Sequence, residues 1–145
     1  ATSYKINDAA SLFANYSFVN QTEFDKEDVS GGDETSPAIY HLNIPKHRVK
    51  AGFAYNPGKG MNFGLSFRYQ NSMNINTLNS NNSDLFWFDG FVPKRTVWDM
   101  NVGLPLSSKT RLDLTVDNVL GKKYQTMVNM PMVGQQALFT LTHNF

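Results

Sequence analysis

Six stretches of the chain alternate between apolar and polar residues, the period of a strand whose two faces meet different surroundings. In MNFGLSFRYQ, Met61, Phe63, Leu65, Phe67 and Tyr69 fall on one side, and Asn62, Gly64, Ser66, Arg68 and Gln70 on the other. The same alternation runs through LFANYSF (from Leu12), RVKAGFAY (from Arg48), VWDMNVGL (from Val97), RLDLTVDN (from Arg111) and the closing ALFTLTHNF (from Ala137). No segment carries a helical stripe. The pattern predicts an all-β, antiparallel architecture of about six strands in a single unit covering residues 1–145.

The connections sharpen this reading because their lengths alternate. NPGKG and PLSSK are tight turns, built from residues that accept turn backbone. The other links, spanning residues 25–47, 71–95 and 125–134, are long. Short turns at one end and long loops at the other are the habit of outer-membrane β-barrels.

The two faces differ in chemistry as well as in hydropathy. In all six stretches the apolar face lacks a formal charge and is rich in Phe, Leu, Met, Tyr and Trp. The opposite face carries Arg48, Lys50, Arg68, Asp99, Arg111, Asp113 and Asp117, together with Asn, Ser, Thr and Gly. Tyr55 and Phe145 fall at the short-turn ends of their strands, and Tyr69 and Trp98 at the long-loop ends, as two interfacial girdles would. The expectation is a membrane barrel wall with lipid on the apolar side and a hydrated lumen lined by the seven charged residues. Pattern alone leaves open a soluble β-barrel with the Phe-rich face turned inward around an apolar ligand.

Composition changes this little. A mean hydropathy of −0.38 suits a soluble protein, but also a barrel in which every second residue meets lipid. The net charge of +1 gives no nucleic-acid footprint, and the absence of cysteine removes disulfides and thiolate metal sites.

Candidate chemistry is sparse. His41, His47 and His143 are scattered without metal-ligand spacing. Asp113 and Asp117 share a face with Arg111, which fits charge pairing on a wetted wall better than a carboxylate pair for glycoside chemistry. Ser107, Ser108 and Lys109 occupy a turn with no third catalytic partner, and Gly58–Lys59–Gly60 is too short for a phosphate loop. No enzyme activity and no cofactor are expected. The acidic loop over residues 25–35 reads as solvated surface. The aromatic run Phe86, Trp87, Phe88 and Phe91, following an Asn/Ser-rich stretch, is the candidate ligand- or partner-contacting loop.

Four motifs in order resemble the end of TonB-dependent outer-membrane receptors. LTVDNVLGKKYQ resembles their penultimate strand running into an Asn-Leu-Leu/Phe-x-x-Lys-Tyr loop, here Asn118, Val119, Leu120, Gly121, Lys122, Lys123 and Tyr124. MPMVGQQALFTLTHNF is similar to the family's Pro-x-x-Gly-Arg and terminal strand, matched by Pro131, Gly134 and Phe145, with Gln135 in place of the Arg. NIPKHRVKAGFAYNPGKGMNFGLSFRY and VPKRTVWDMNVGL resemble the preceding strands, and the siderophore and vitamin receptors are the nearer branch. The resemblance spans residues 11–145.

It implies a barrel of about 22 strands and a plug domain, of which this chain supplies six strands and no plug. It also implies import of a scarce nutrient with energy passed by TonB, location in the bacterial outer membrane, and as partners the lipid, the rest of the barrel and plug, the TonB complex and the barrel assembly machinery. Gly134, Phe139, Leu141 and Phe145 would then belong to a terminal assembly signal. Two alternatives remain at this stage. One is the soluble barrel. The other is a complete eight-stranded membrane barrel with a structural or adhesive role, drawing its extra strands from AIYHLNI and DLFWFDG.

Overall fold

The computed structural model describes residues 2–28, 39–81 and 84–145; for residues 26, 77–81 and 84–89 it describes the backbone alone. Within these residues the chain forms eleven strands. Seven make one sheet: β1 (Thr2–Lys5), β2 (Ala10–Phe18), β5 (His47–Tyr55), β6 (Asn62–Gln70), β9 (Arg95–Pro105), β10 (Thr110–Asp117) and β11 (Gln136–His143). They lie side by side in chain order, every pair antiparallel. The six expected strands are present, and β1, too short and polar to stand out in the sequence, precedes them.

The remaining strands fill the long connections. β3 (Glu23–Asp25) pairs with β4 (Ile39–His41), and β7 (Met73–Asn81) pairs with β8 (Asp84–Val92). These stretches supply AIYHLNI and DLFWFDG with strands, but in two-stranded sheets of their own. Within the main sheet β1 and β11 are the two edges and do not pair with each other. The eight-stranded closure is therefore not formed.

Loop lengths segregate as expected. The links β1–β2, β5–β6 and β9–β10 are tight. The first is fixed by the Asn7 side chain, whose Oδ1 accepts from the amides of Ala9 (2.9 Å) and Ala10 (2.8 Å). Gly58 and Gly60 take positive φ in the second. The links β2–β5, β6–β9 and β10–β11 are the long ones, all at the opposite end.

Register aligns the faces across the whole sheet. Tyr4, Leu12, Phe53, Leu65, Met100, Val116 and Ala137 pair in one unbroken row from β1 to β11. The next row toward the short turns runs Ala10, Tyr55, Phe63, Val102, Leu114 and Phe139. Nothing among the described residues covers this face. Leu12, Tyr16, Phe18, Leu104, Phe139 and Leu141 are all exposed, and the buried apolar residues of the described chain are only Ala10, Ile75, Val92 and Val97. The accessible surface is 10242 Å², against about 7,500 Å² for a compact soluble monomer of this mass. A soluble barrel folded around its Phe-rich side would have hidden that face; here it is spread open.

Strand length fits the same conclusion. β2, β5 and β6 have nine residues each, about 30 Å of extended chain. Tilted by the roughly 40° usual in membrane barrels, they rise about 23 Å, close to the height of a lipid-facing apolar band.

Candidate functional site

The polar face is a wall of paired charge. Arg68 on β6 makes a two-pronged contact with Asp99 on β9, Nε to Oδ2 at 2.9 Å and Nη2 to Oδ1 at 3.0 Å. Asp99 also accepts from the Asn118 amide at 3.0 Å and the Ser66 hydroxyl at 3.4 Å. One carboxylate thus joins two strands and the start of the β10–β11 loop. Nearer the short turns, Arg111 Nε donates to both oxygens of Asp113, at 2.9 and 3.0 Å. Register places Lys50 opposite Arg68 and Arg48 opposite Gln70, which itself faces Arg95. All seven sequence-selected charged residues lie on this one face. Arg48, Lys50, Arg68, Asp99 and Asp117 lie in the half toward the long loops, and the Arg111–Asp113 pair in the half toward the short turns.

Glycines let this wall lie flat. A side chain at Gly52 would run into the Phe13 ring, one at Gly64 into Asn101, and one at Gly103 into Arg111, Asn62 and Asp113. Each glycine vacates the space that a neighbour's longer side chain fills. Phe13, an apolar residue on the polar face, is accounted for this way: its ring lies over its register partner Gly52. Leu138 also lies on the polar side, exposed, opposite Thr115.

The Asn118 motif of the sequence is a built turn. Asn118 is buried with φ 56°, and Gly121 has φ 64°. The Gly121 amide returns to the Asn118 carbonyl at 2.8 Å, and Asn118 Nδ2 donates to the Lys122 carbonyl at 3.1 Å. Tyr124 and Val133 form an antiparallel bridge that closes the loop, and Gln135 Nε2 caps the Val119 carbonyl at 2.9 Å. Gly134 sits beside this bridge, lining a polar recess of about 520 Å³ together with Arg68, Asp99, Asp117 and Gln136. Phe139 and Leu141 stand exposed on the apolar face. Phe145 lies beyond β11, fully exposed, its ring edge-on to His143 at 5.0 Å. His143 Nδ1 in turn meets the Thr110 hydroxyl at 2.9 Å.

At the other rim of the apolar face, Tyr16 OH meets His47 Nδ1 at 2.7 Å, and the Phe18 ring lies 5.1 Å from the His47 ring. Lys46 Nζ sits over Phe18 at 5.9 Å. Phe67 and Trp98 pack at 4.9 Å on the same side. Aromatic and histidine clusters therefore mark both ends of the apolar band.

Beyond the sheet the two loop hairpins meet. Asn76 is buried, and its Oδ1 accepts from the His41 amide at 3.2 Å. Asn43, with φ 58°, bonds both ways to the Asn76 backbone. A polar recess of about 260 Å³ lies between the hairpins, lined by Glu23, His41, Lys46, Asn74 and Phe91 among others. Glu23 Oε1 is 3.5 Å from His41 Nδ1 and 3.3 Å from Asn74 Nδ2. Of the aromatic loop candidates, Phe91 borders this recess and is exposed. Phe86, Trp87 and Phe88 are in β8, their side chains outside the described residues, as is most of the acidic loop. His41 stood out only as one of three scattered histidines, and the roles of Glu23, Asn43 and Asn76 were not legible in advance: an Asn inside the Asn-rich run of residues 71–82 carries no signal that it is buried. No group of three or more His, Asp or Glu side chains that could hold a metal ion occurs among the described residues.

No family model matches the chain, and no curated protein sequence matches it either. Solved structures do. The siderophore receptor PiuA of Acinetobacter baumannii matches 97% of the chain at a TM-score of 0.64 and 17% identity. P. aeruginosa FpvA, solved with bound pyoverdines, matches 99% at 0.66 and 15%. The copper transporter OprC matches 99% at 0.59 and 13%.

The fold is that of part of a TonB-dependent receptor barrel. The chain spans about a fifth of these proteins: 20% of PiuA, 18% of FpvA and 22% of OprC. A receptor-barrel segment explains the open sheet, because β1 and β11 are edges that further strands of such a barrel would cover. The resemblance expected from the four motifs is thus met at the level of fold, and the matched proteins are receptors and transporters rather than enzymes.

Proposed function

We propose that the chain is the C-terminal barrel segment of a TonB-dependent outer-membrane receptor that imports a scarce nutrient of the siderophore or vitamin kind. The observation carrying this reading is the alignment of nearly the whole chain with about a fifth of the length of PiuA and FpvA. The uncovered apolar face, the segregated loops and the aromatic rims support it. In the whole protein the polar wall lines the lumen and faces the plug, and the recess bordered by Glu23, His41 and Phe91 belongs to the surface that meets the ligand. Transport leaves the substrate covalently unchanged; energy reaches the plug through TonB.

The terminal strand has a second role. β11 presents Phe139 and Leu141 on one face and ends beside Phe145, the alternation that the barrel assembly machinery pairs with during insertion. Strand addition of this kind draws affinity from the backbone and specificity from alternate side chains.

The reading is tested by deleting the gene and measuring growth with individual chelated iron sources or corrinoids as the limiting nutrient. Loss of growth on one of them, restored by the intact gene but not restored in a strain lacking TonB, is the expected result. Unaltered growth on every such source would contradict it.

A further inference from the structure

Three of the chain's six methionines, Met127, Met130 and Met132, lie together in the β10–β11 loop. All three are exposed, at 45%, 52% and 62%, although methionine is among the residues most often buried. The backbone draws them together. The Met130 amide returns to the Met127 carbonyl at 3.2 Å, and Asn129 takes a φ of 62°, the left-handed third position of a tight turn. Such a turn brings its first and last Cα atoms within about 7 Å. Met132 follows Met130 across Pro131, and two residues of chain span no more than about 7 Å. The loop is also held at its neck. Tyr124 and Val133 exchange backbone hydrogen bonds at 3.0 and 2.8 Å, and Gln125 Nε2 donates to the Met130 carbonyl at 3.1 Å. With the backbone fixed this way, the flexible, unbranched side chains of the three methionines can bring their sulfurs to one point.

The donors around that point select its occupant. From Gly121 to Gln136 the chain has no Asp, Glu, His or Cys. Calcium requires oxygen ligands, and zinc takes imidazole, carboxylate or thiolate. Thioether sulfur is a soft donor and selects copper(I). Charge works in the same direction. Met132 borders a cleft with Lys94, Arg95, Lys122 and Lys123, whose field repels a divalent ion twice as strongly as a monovalent one. The three lysines are exposed, so water and salt screen the repulsion that a monovalent ion meets. We infer that Met127, Met130 and Met132 form a binding site for a soft monovalent cation, copper(I), held by three thioether sulfurs. Binding leaves the oxidation state of the ion unchanged. The site lies beyond Asp117 and Gln136, the last register pair at the long-loop end, and so stands clear of the apolar band. It is independent of which nutrient the receptor imports.

The test uses the whole receptor containing this chain, purified in non-ionic detergent with carbon-13 in its methionine methyl groups. Silver(I), a redox-inert stand-in for copper(I), is titrated in, with methyl resonances followed by NMR and bound ions counted by native mass spectrometry. The methyl signals of Met127, Met130 and Met132, assigned through single changes to Leu, should shift together as one ion binds. The triple change Met127→Leu, Met130→Leu, Met132→Leu should remove one bound silver ion. Leucine keeps the volume and apolar character of methionine, so the fold is expected to hold. Each single change should weaken binding by about tenfold or more, since even partners that only support a metal ligand contribute that much. Copper(I) under anaerobic, reducing conditions should displace the silver, and zinc(II) should not. Silver uptake unchanged by the triple change overturns the inference, as does displacement by equimolar zinc(II). Methyl signals of the three that stay in place at saturating silver overturn it in the unaltered receptor, whether or not the triple variant folds.

Discussion

Asn43 and Asn76 hold each other by side chain and backbone at once. Asn43 Oδ1 accepts from the Asn76 amide at 3.0 Å, and Asn43 Nδ2 donates to the Asn76 carbonyl at 2.9 Å. This clasp, with Asn76 buried beneath the β3–β4 hairpin, ties two loops that are 33 residues apart. Asn76→Ala removes the side-chain bonds to His41 and Ile39, and Asn43→Ala removes the reciprocal pair. At about 1 kcal/mol for each net hydrogen bond, each change should loosen the loop pair by roughly 2 kcal/mol. Amide exchange in β3 and β4 should accelerate about thirtyfold, while the seven-stranded sheet keeps its protection.

Asp99 is the hub of the polar wall. Its side chain is 16% exposed while that of Arg68 is 46% exposed, so Asp99 is the partner whose loss strands buried groups. Asp99→Ala leaves the Asn118 amide without an acceptor and Arg68 without a counter-charge; a loss of about 3 kcal/mol is expected in urea unfolding from detergent micelles. Asp99→Asn keeps an acceptor for the Asn118 amide and should cost about half as much. Equal losses for the two variants would show that charge, rather than the loop anchor, is what Asp99 supplies.

Gly52 and Phe13 form a coupled pair. A Cβ at residue 52 would lie 2.6 Å from Phe13 Cζ and 2.9 Å from the Leu65 carbonyl oxygen. Gly52→Ala should therefore destabilise the sheet by about 1–3 kcal/mol, the usual range for overpacking. Adding Phe13→Ala should recover part of that loss, because the ring is then absent and only the carbonyl contact remains. Additive losses in the double variant would contradict the contact.

How far the sequence disclosed these features follows from their physics. Strands such as β6 and β10 were legible because one face is apolar at every second residue and the other polar throughout. β1 and β7 were not: TSYK is short, and MNINTLNSN is rich in Asn, which disfavours strands unless a partner supplies the pairing. Register puts the seven charged residues on one face, since period two fixes the side on which a residue lies. Which of them pair depends on register, and register joins strands through links of very different length. Asn118 illustrates both limits. Its motif was readable, but the reason for an Asn there, a left-handed turn anchored on Asp99, required the fold.

The two faces differ in what they tolerate. Leu114→Arg places a guanidinium mid-strand on the apolar face and should cost about 2–4 kcal/mol of folding into lipid vesicles. Thr115→Arg, one residue on, points to the polar face and should change stability by less than about 1 kcal/mol.

The most direct test of the membrane reading takes advantage of the chain's lack of cysteine. Single cysteines from residue 137 to 142, spin-labelled in the reconstituted receptor, report whether each position meets lipid-dissolved oxygen or a water-soluble nickel chelate. Positions 137, 139 and 141 should be accessible to oxygen, and positions 138, 140 and 142 to the chelate or to neither reagent. A pattern without period two, or one with the chelate reaching 139 and 141, would contradict a lipid-facing apolar side.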